Sequence, residues 1–549
     1  MGNNPNFARR ISENMALLSN KGYCTFIEKE ADIHWSWRDL ELHCNWVRAQ
    51  LSDRESGVAL IFLKDMRQMH AAYYGCMLSG LIPSFMPCTS PKQDASIYWK
   101  SHISLLKHIS PVAVITTSEF EIEMRDSGLQ LKDIRIICME NMEAHEFDGT
   151  IHARRSEEVV LLQHSSGTTG LKKGVALSNK AVALHAERYG ESLSVGEGDV
   201  VGSWLPLYHD MGLMACMLMP AYLGIPIVQM DPFRWVAAPD KFLNVLESYQ
   251  ATLVWMPNFA FELYARIGDL FRINPDLSKI RGMISCSEVS KFETLTKFEK
   301  IFLKWNGEPD ALQTCYAMAE TVFAASQTQM NSEVKKICFD LESLSEGECV
   351  KIAEQGRFLV SCGTQIDGIE IEIFDQSRNM LDPGFIGEIG IKGEQLFEGY
   401  FGLEKSSMNR FQDGFFMTRD VGFIFDDELF VLGRLDDMII VNGRNIYAHD
   451  VEALLLDING LKRGRSVAFG VDDADSGSQN LVVISERSES DLEREGEIKR
   501  EIREVIESTI GVVPGATHIV NRGWLVKTSS GKVGRKENRE KYLSELAKK

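Results

Sequence analysis

Apolar residues fall in short uninterrupted runs along the first half of the chain. Val58–Leu63, Val112–Thr116, Ile134–Met139, Val159–Gln163, Ile225–Met230 and Thr252–Met256 are such runs. Each is of strand length, and an unbroken run is what a strand buried on both faces requires. Between them, Arg67–Ser79, Lys180–Ser192 and Pro239–Tyr249 read as helices. Strand and helix in alternation predict parallel sheets covered by helices. The most apolar stretch, Met214–Met230, is interrupted by Pro220 and Pro226 and is short for a bilayer span. It reads as a buried helix, a turn and a strand.

The pattern changes after about residue 355. Phe358–Ser361, Glu370–Phe374, Glu388–Lys392, Gly422–Phe425 and Leu429–Leu432 read as short strands. Turn residues such as Asp382–Gly384 separate them, which predicts a small antiparallel β unit. Gly433–Asp437 is a polar break. Beyond it come a helix over Ala448–Asp457, strands near Ser466–Gly470 and Asn480–Ser485, and a helix from Asp491 to about Ile510. The expected fold class is α/β: a large N-terminal domain over residues 1–434, ending in a small β-barrel-like unit, and a small mobile α+β domain over 435–549.

Composition narrows the class. The 549 residues are too many for one ordinary core and suggest two to four structural units. A net charge of −19 makes sequence-independent nucleic-acid binding a poor fit, because that needs clustered cations. The 11 cysteines include no CxxC pair, so disulfides and structural zinc are not expected. They read as reduced thiols of a cytoplasmic protein. Met1–Asn20 has no long apolar core and does not read as a signal peptide.

The chemistry centres on one loop. The strand candidate Val159–Gln163 runs into His164-Ser-Ser-Gly-Thr-Thr-Gly-Leu-Lys-Lys-Gly174, and a helix is expected next, capped by Ser178 or Asn179. Gly167, Gly170 and Gly174 allow close backbone approach. Ser165, Ser166, Thr168 and Thr169 add hydroxyls, and Lys172 and Lys173 add charge. Backbone N–H groups in such a loop cradle anions, so polyphosphate fits. The Walker A spacing fails, because Lys172 stands where glycine is needed. On the loop alone, a polar surface turn remains an equal alternative.

This loop and five further motifs, in order over roughly residues 20–540, resemble the adenylate-forming superfamily of acyl-CoA synthetases, adenylation enzymes and luciferases. The further motifs are Tyr316-Ala-Met-Ala-Glu-Thr321, Thr418-Arg-Asp420, Gly433-Arg-Leu-Asp-Asp437, Asn442-Gly-Arg444 and Lys527-Thr-Ser-Ser-Gly-Lys532. Lys172, Ala317, Arg419 and Val526 depart from the family's Pro, Gly, Gly and Pro. The resemblance implies ATP and Mg²⁺ as cofactors. It assigns Ser165, Ser166, Gly167, Thr168, Thr169, Gly170, Lys173, Ser287, Tyr316, Thr321, Asp420 and Arg434 to the nucleotide. It puts the metal on Glu320, makes Asp436 the hinge, sets Gly443 and Arg444 beside a thiol channel, and makes Lys532 the lysine that bridges carboxylate and α-phosphate.

Three segments are most similar to fatty acyl-AMP ligases. They are Ser203–Leu213, Pro232–Trp235 with Trp255–Ala260, and Asp427–Arg434 with Gly443–Tyr447. The resemblance implies a carboxylic acid, fatty in type, as substrate and a carrier-protein phosphopantetheine as acceptor. An acyl- or aryl-CoA ligase using free coenzyme A is the alternative, and a non-catalytic acyl or nucleotide binder a third reading. By motif position, Met211, Met214, Trp235, Trp255 and Phe259 are acyl-pocket candidates, and His209 lies near the reacting carboxylate. Arg535, Lys536, Arg539 and Lys541 form a candidate basic patch for an acidic carrier.

Overall fold

The computed structural model describes residues 5–52, 56–89, 95–129, 131, 133–147, 149–165, 173–403, 408–441, 444–473, 478–488, 494–527 and 533–545. Its largest sheet has nine strands. From one edge these are Thr364–Gln365, Ala324–Gln327, Leu312–Ala317, Gly282–Cys286, Leu253–Pro257, Val201–Ser203, Ile227–Met230, Gly22–Ile27 and Ile33–Ser36. The pairings from Leu312–Ala317 through Gly22–Ile27 are all parallel, and those at both edges are antiparallel. A second, fully parallel sheet runs Ile82–Phe85, Val58–Ile61, Ala113–Thr116, Arg135–Cys138. Both sheets answer to the unbroken apolar runs: Val58–Ile61, Ala113–Thr116, Ile227–Met230 and Leu253–Pro257 are buried at every position.

The β unit is a five-stranded antiparallel sheet built from Ile369–Phe374, Gly387–Gly393, Phe411–Gln412, Phe415–Phe425 and Glu428–Arg434. One expected member is elsewhere. Arg357–Val360 pairs only with Lys336–Phe339, as a separate ribbon. A short 3₁₀ turn, Leu435–Asp437, follows the last strand. Beyond it lie the hairpin Met438–Val441/Arg444–Tyr447, a sheet of Leu461–Asp473, Ser478–Arg487 and Ala516–Val520, and the helices Ala448–Leu454, Glu495–Ile510 and Arg535–Glu545. Two apolar clusters draw only on residues from Ile439 onward, so this part packs a core of its own.

Two local departures bear on the site. A strand that the sequence did not mark, Lys173–Ser178, stands between the phosphate-loop candidate and the helix, antiparallel to Val159–Ser165. The expected helix starts after it at Asn179, with the Ser178 hydroxyl accepting from the Ala181 N–H at the N-cap. The apolar stretch opens as a π-helix, Met211–Leu218, before an ordinary turn of helix to Leu223. Gly224 then takes φ +78° and ends it.

Candidate active site

The candidate loop is the tip of a β-hairpin. Ser165 stands opposite Lys173 at the last described rung, and Gln163 opposite Val175. Ser166, Gly167, Thr168, Thr169, Gly170 and Lys172 lie outside the described residues. The hairpin's outer neighbour is the two-residue strand Gly399–Tyr400, with Tyr400 opposite Val175. A diagonal neighbour on the same ladder is within reach of a long side chain. Lys173 uses it: its Nζ lies 4.5 Å from the centroid of the Tyr400 ring. Burial, and then the nearby Arg410, hold the Lys173 pKa below the usual lysine value.

Tyr316 closes the strand Leu312–Ala317, and Glu320 sits in the 3₁₀ turn Ala319–Thr321 that follows. Thr321 belongs to the same turn. It is fully buried, with its hydroxyl on the carbonyls of Met318 (3.0 Å) and Phe323 (2.7 Å), and it shapes the turn that carries Glu320. The Tyr400 hydroxyl donates to Glu320 Oε1 at 2.7 Å.

Asp420 and Arg434 face each other on paired strands. Arg434 Nε donates to Asp420 Oδ1 at 3.1 Å, and the Tyr316 hydroxyl donates to Asp420 Oδ2 at 2.6 Å. Burial, with the Asp420 charge beside it, raises the Tyr316 pKa, so the phenol stays neutral and donates. Three motifs remote in sequence thus share one carboxylate.

Asp436 accepts three hydrogen bonds from Arg419, at 3.1, 3.1 and 2.5 Å. These bonds, ahead of any other cause, hold its pKa below the usual carboxylate range. Arg419 occupies φ +64°, the left-handed region that favours glycine. The departure from the family's glycine is accommodated by the Asp436 pair and by Glu388 Oε1, which accepts the Arg419 N–H at 2.7 Å. The neighbouring Asp437 accepts from Arg535 at 2.6 Å. Arg444 is exposed, with Nη1 3.3 Å from the Gly511 carbonyl. Gly443 and Lys532 lie outside the described residues. The flanks of the Lys532 segment are tied, since Lys527 and Val533 form a bridge and the buried Asn538 bonds the backbone of Val526 and Gly534.

The acyl-pocket candidates divide. Trp235 stacks on Trp204, with centroids 3.6 Å apart and planes 2° apart, and Phe259 lies edge-on 6.1 Å from Trp235. Phe259 is 47% exposed, whereas Met211 and Met214 on the π-helix are buried. The Ser287 hydroxyl lies 3.9 Å from Met211 Sδ, at a residue with φ +66°. Trp255 is fully buried, and its Nε1 donates to the Tyr189 hydroxyl at 2.8 Å. His209 lies next to Asp210, the N-cap of the π-helix, with Nδ1 2.6 Å from Asp210 Oδ1. The candidate basic patch is largely committed internally: Arg535 to Asp437 and Glu452, Arg539 to the Gly470 carbonyl, Lys541 to the Trp524 carbonyl.

Sequence reasoning missed Trp204, Tyr400 and Arg410. Trp204 lay inside a quoted motif and could have been included. Tyr400 sits on a two-residue strand that no periodicity marks. Arg410, whose guanidinium donates to the Met417 carbonyl at 2.6 and 2.9 Å, carries no local signal.

No group of three His, Cys, Asp or Glu side chains able to hold a metal occurs among the described residues. A single carboxylate, Glu320, sharing Tyr400 with Lys173, is nonetheless a fitting donor set for Mg²⁺, which keeps its waters and binds through one or two carboxylates and substrate phosphates.

Parallel sheets, a β unit, a C-terminal part with a core of its own, and a site that gathers Lys173, Glu320 and a Tyr316–Asp420–Arg434 triad define a nucleotide-handling α/β enzyme class. Residues 14–401 match the model of the AMP-binding enzyme family, and the chain belongs to that family. Among its relatives, the medium-chain-fatty-acid–[acyl-carrier-protein] ligase JamA of Moorena producens is 26% identical, over 96% of this chain and 93% of that one. The 4-hydroxyphenylalkanoate adenylyltransferase of Mycobacterium marinum is 29% identical, over 86% of this chain and 80% of its own. A solved structure of fatty acyl-adenylate ligases from E. coli and L. pneumophila matches with a TM-score of 0.88 at 23% identity, over 99% of this chain and 98% of that one. The McyG adenylation–carrier structure with phenylalanyl-adenylate matches at the same TM-score and 22% identity, over 100% of this chain and 84% of that one. These structures share the adenylate-forming fold. Among the described residues, no helix is long and apolar enough to cross a membrane.

Proposed function

We propose that the protein activates a fatty or other apolar carboxylic acid with ATP, forms an acyl-adenylate, and passes the acyl group to the phosphopantetheine thiol of a carrier protein. The observation that carries the adenylation step is the convergence of Lys173, Glu320 and the Tyr316–Asp420–Arg434 triad. The printed name of JamA supports the carrier as acceptor.

The reaction brings a carboxylate against a triphosphate, anion against anion. The substrate oxygen attacks the α-phosphorus, and the bond to pyrophosphate breaks. Charge stabilisation and alignment carry such a step, with no protein nucleophile. In this reading Asp420 accepts from the ribose hydroxyls, with its carboxylate held by Tyr316 and Arg434. The Tyr316 ring lies along adenine. Lys173 and the hairpin tip hold the leaving phosphates, and Glu320 would hold Mg²⁺, which would supply positive charge against the phosphates. Lys532 is assigned to the carboxylate and α-phosphate, and Ser287 to the nucleotide. His209, Met211, Met214, Trp235 and Phe259 are assigned to the acid. The division into an N-terminal domain to residue 434 and a mobile C-terminal domain from 435 belongs to this proposal. So does movement about Asp436, with Gly443 and Arg444 lining the thiol's path afterwards.

The test is ATP–pyrophosphate exchange across a panel of carboxylic acids, followed by a comparison of coenzyme A and a pantetheinylated carrier as acceptors. Exchange with a medium or long acid and transfer to the carrier are expected. Rapid formation of a CoA thioester overturns the carrier assignment. Exchange undiminished in Lys532→Ala overturns the mechanism.

A further inference from the structure

The segment 397–401 stitches the phosphate hairpin to the acidic turn. Phe397 N–H donates to the Glu320 carbonyl at 2.8 Å. Glu398 and Phe401 N–H donate to the carbonyls of Ala176 and Gly174, both at 2.8 Å. Between them, Gly399 and Tyr400 pair with Ala176 and Val175. The backbone therefore already fixes the distance between the strand that bears Lys173 and the turn that bears Glu320.

The Tyr400 side chain repeats that tie at the level of the functional groups. Its ring is 4% exposed and packs edge-on against Phe397, with centroids 5.0 Å apart. One face receives the Lys173 ammonium at 4.5 Å. Its hydroxyl reaches Glu320 Oε1 at 2.7 Å. A cation over a desolvated ring and a hydrogen bond to a carboxylate are each strong enough to hold a flexible side chain in place. Lysine and glutamate carry more rotamer entropy than most side chains, so fixing them before the ligand arrives removes a cost from binding. A tyrosine kept only to fill a core has no need of its hydroxyl on a functional carboxylate.

We propose that Tyr400 is a positioning residue for nucleotide binding: its ring fixes Lys173 for the phosphates, and its hydroxyl, by taking Glu320 Oε1, fixes the carboxylate that would hold the cation. This rests on the roles given above to Lys173 and Glu320. The two halves of the side chain can be separated, because Tyr400→Phe keeps the ring and Tyr400→Leu removes both.

The test is equilibrium binding of ATP by calorimetry, in EDTA and in excess Mg²⁺, to the full-length protein and to both variants. The wild type is expected to bind more tightly with Mg²⁺ than in EDTA. Tyr400→Phe is expected to lose about tenfold of that Mg²⁺-dependent gain, with the larger part of its defect confined to the Mg²⁺ condition. Tyr400→Leu is expected to weaken binding in both conditions, by about tenfold or more in EDTA. Equal losses by the two variants in both conditions mean a purely structural tyrosine and overturn the proposal, as does wild-type binding by both. Thermal melts of each variant identify a simple folding defect, and in that event Glu320→Gln in the same titration supplies the hydroxyl arm: a Mg²⁺-dependent gain equal to the wild type's overturns it. Failure of the wild type to bind ATP at all is a different result, and it removes the proposed function itself.

Discussion

At the scale of single residues, the site is organised by what holds each functional group. Asp420 receives Tyr316 on one oxygen and Arg434 on the other. Removing the phenol hydroxyl in Tyr316→Phe leaves the ring in place but takes one donor from a buried carboxylate. A hydrogen bond to a charged group is worth about 1.5–3 kcal/mol. The expected result is a rise in KM for ATP of roughly 10–100-fold, with little change in KM for the acid, read from exchange kinetics. Much of this was legible only through the motif resemblance. Nothing in periodicity tells that Asp420, Arg434 and Tyr316 meet, because their neighbourhood is made by a ladder and by a strand end some hundred residues away. The Thr321 hydroxyl, assigned to the nucleotide by resemblance, finds the backbone carbonyls of its own turn, as a hydroxyl in a tight turn does.

At the scale of elements, five of the unbroken apolar runs located parallel strands to within a few residues. The sixth, Val159–Gln163, is an antiparallel hairpin strand, because an unbroken run marks burial on both faces and not strand direction. The strand Lys173–Ser178 escaped because Ser178 and Asn179 give a strong helix-start signal that masked the apolar residues before it. Trp255 was assigned by motif position, and its hydrogen bond to Tyr189 was not legible in the sequence. The π-helix Met211–Leu218 was not legible at all. Its second residue is pressed against the preceding chain: a Cβ on Gly212 would stand 2.4 Å from the Pro206 carbonyl oxygen. That neighbour is backbone and cannot rotate away. Gly212→Ala is therefore expected to displace the helix from the 203–209 segment, at the cost of about 1–3 kcal/mol typical of overpacking. Calorimetry should show a melting temperature lower by a few degrees. KM for the acid should rise more than KM for ATP, since Met211 and His209 flank the strained contact.

At the scale of the whole molecule, acid sensitivity follows from buried histidines. His70, between Tyr23 and Gln229, and His185, beside Gln395, are each pushed down to about 4 by burial. Burial does the same to His449. In the unfolded chain each returns to about 6.5. Between those values the unfolded state binds protons that the folded state refuses, so stability is full above about pH 6.5 and falls as pH drops towards 4. A melting temperature that declines across this window is expected, with a shallower decline in His185→Gln. A flat profile contradicts it.

The turn Leu435–Asp437 has two adjacent carboxylates held by arginines on either side of it. Asp436 is gripped by Arg419, which precedes the turn, and that pair is 46% and 35% exposed. Asp437 is gripped by Arg535, which follows it, and that pair is 26% and 18% exposed. Dissolved ions screen the more exposed grip first. Rising ionic strength thus weakens the grip on the body before the grip on the part beyond. In the movement proposed above, the turn then travels with the smaller piece, and the parting falls between Arg434 and Asp436.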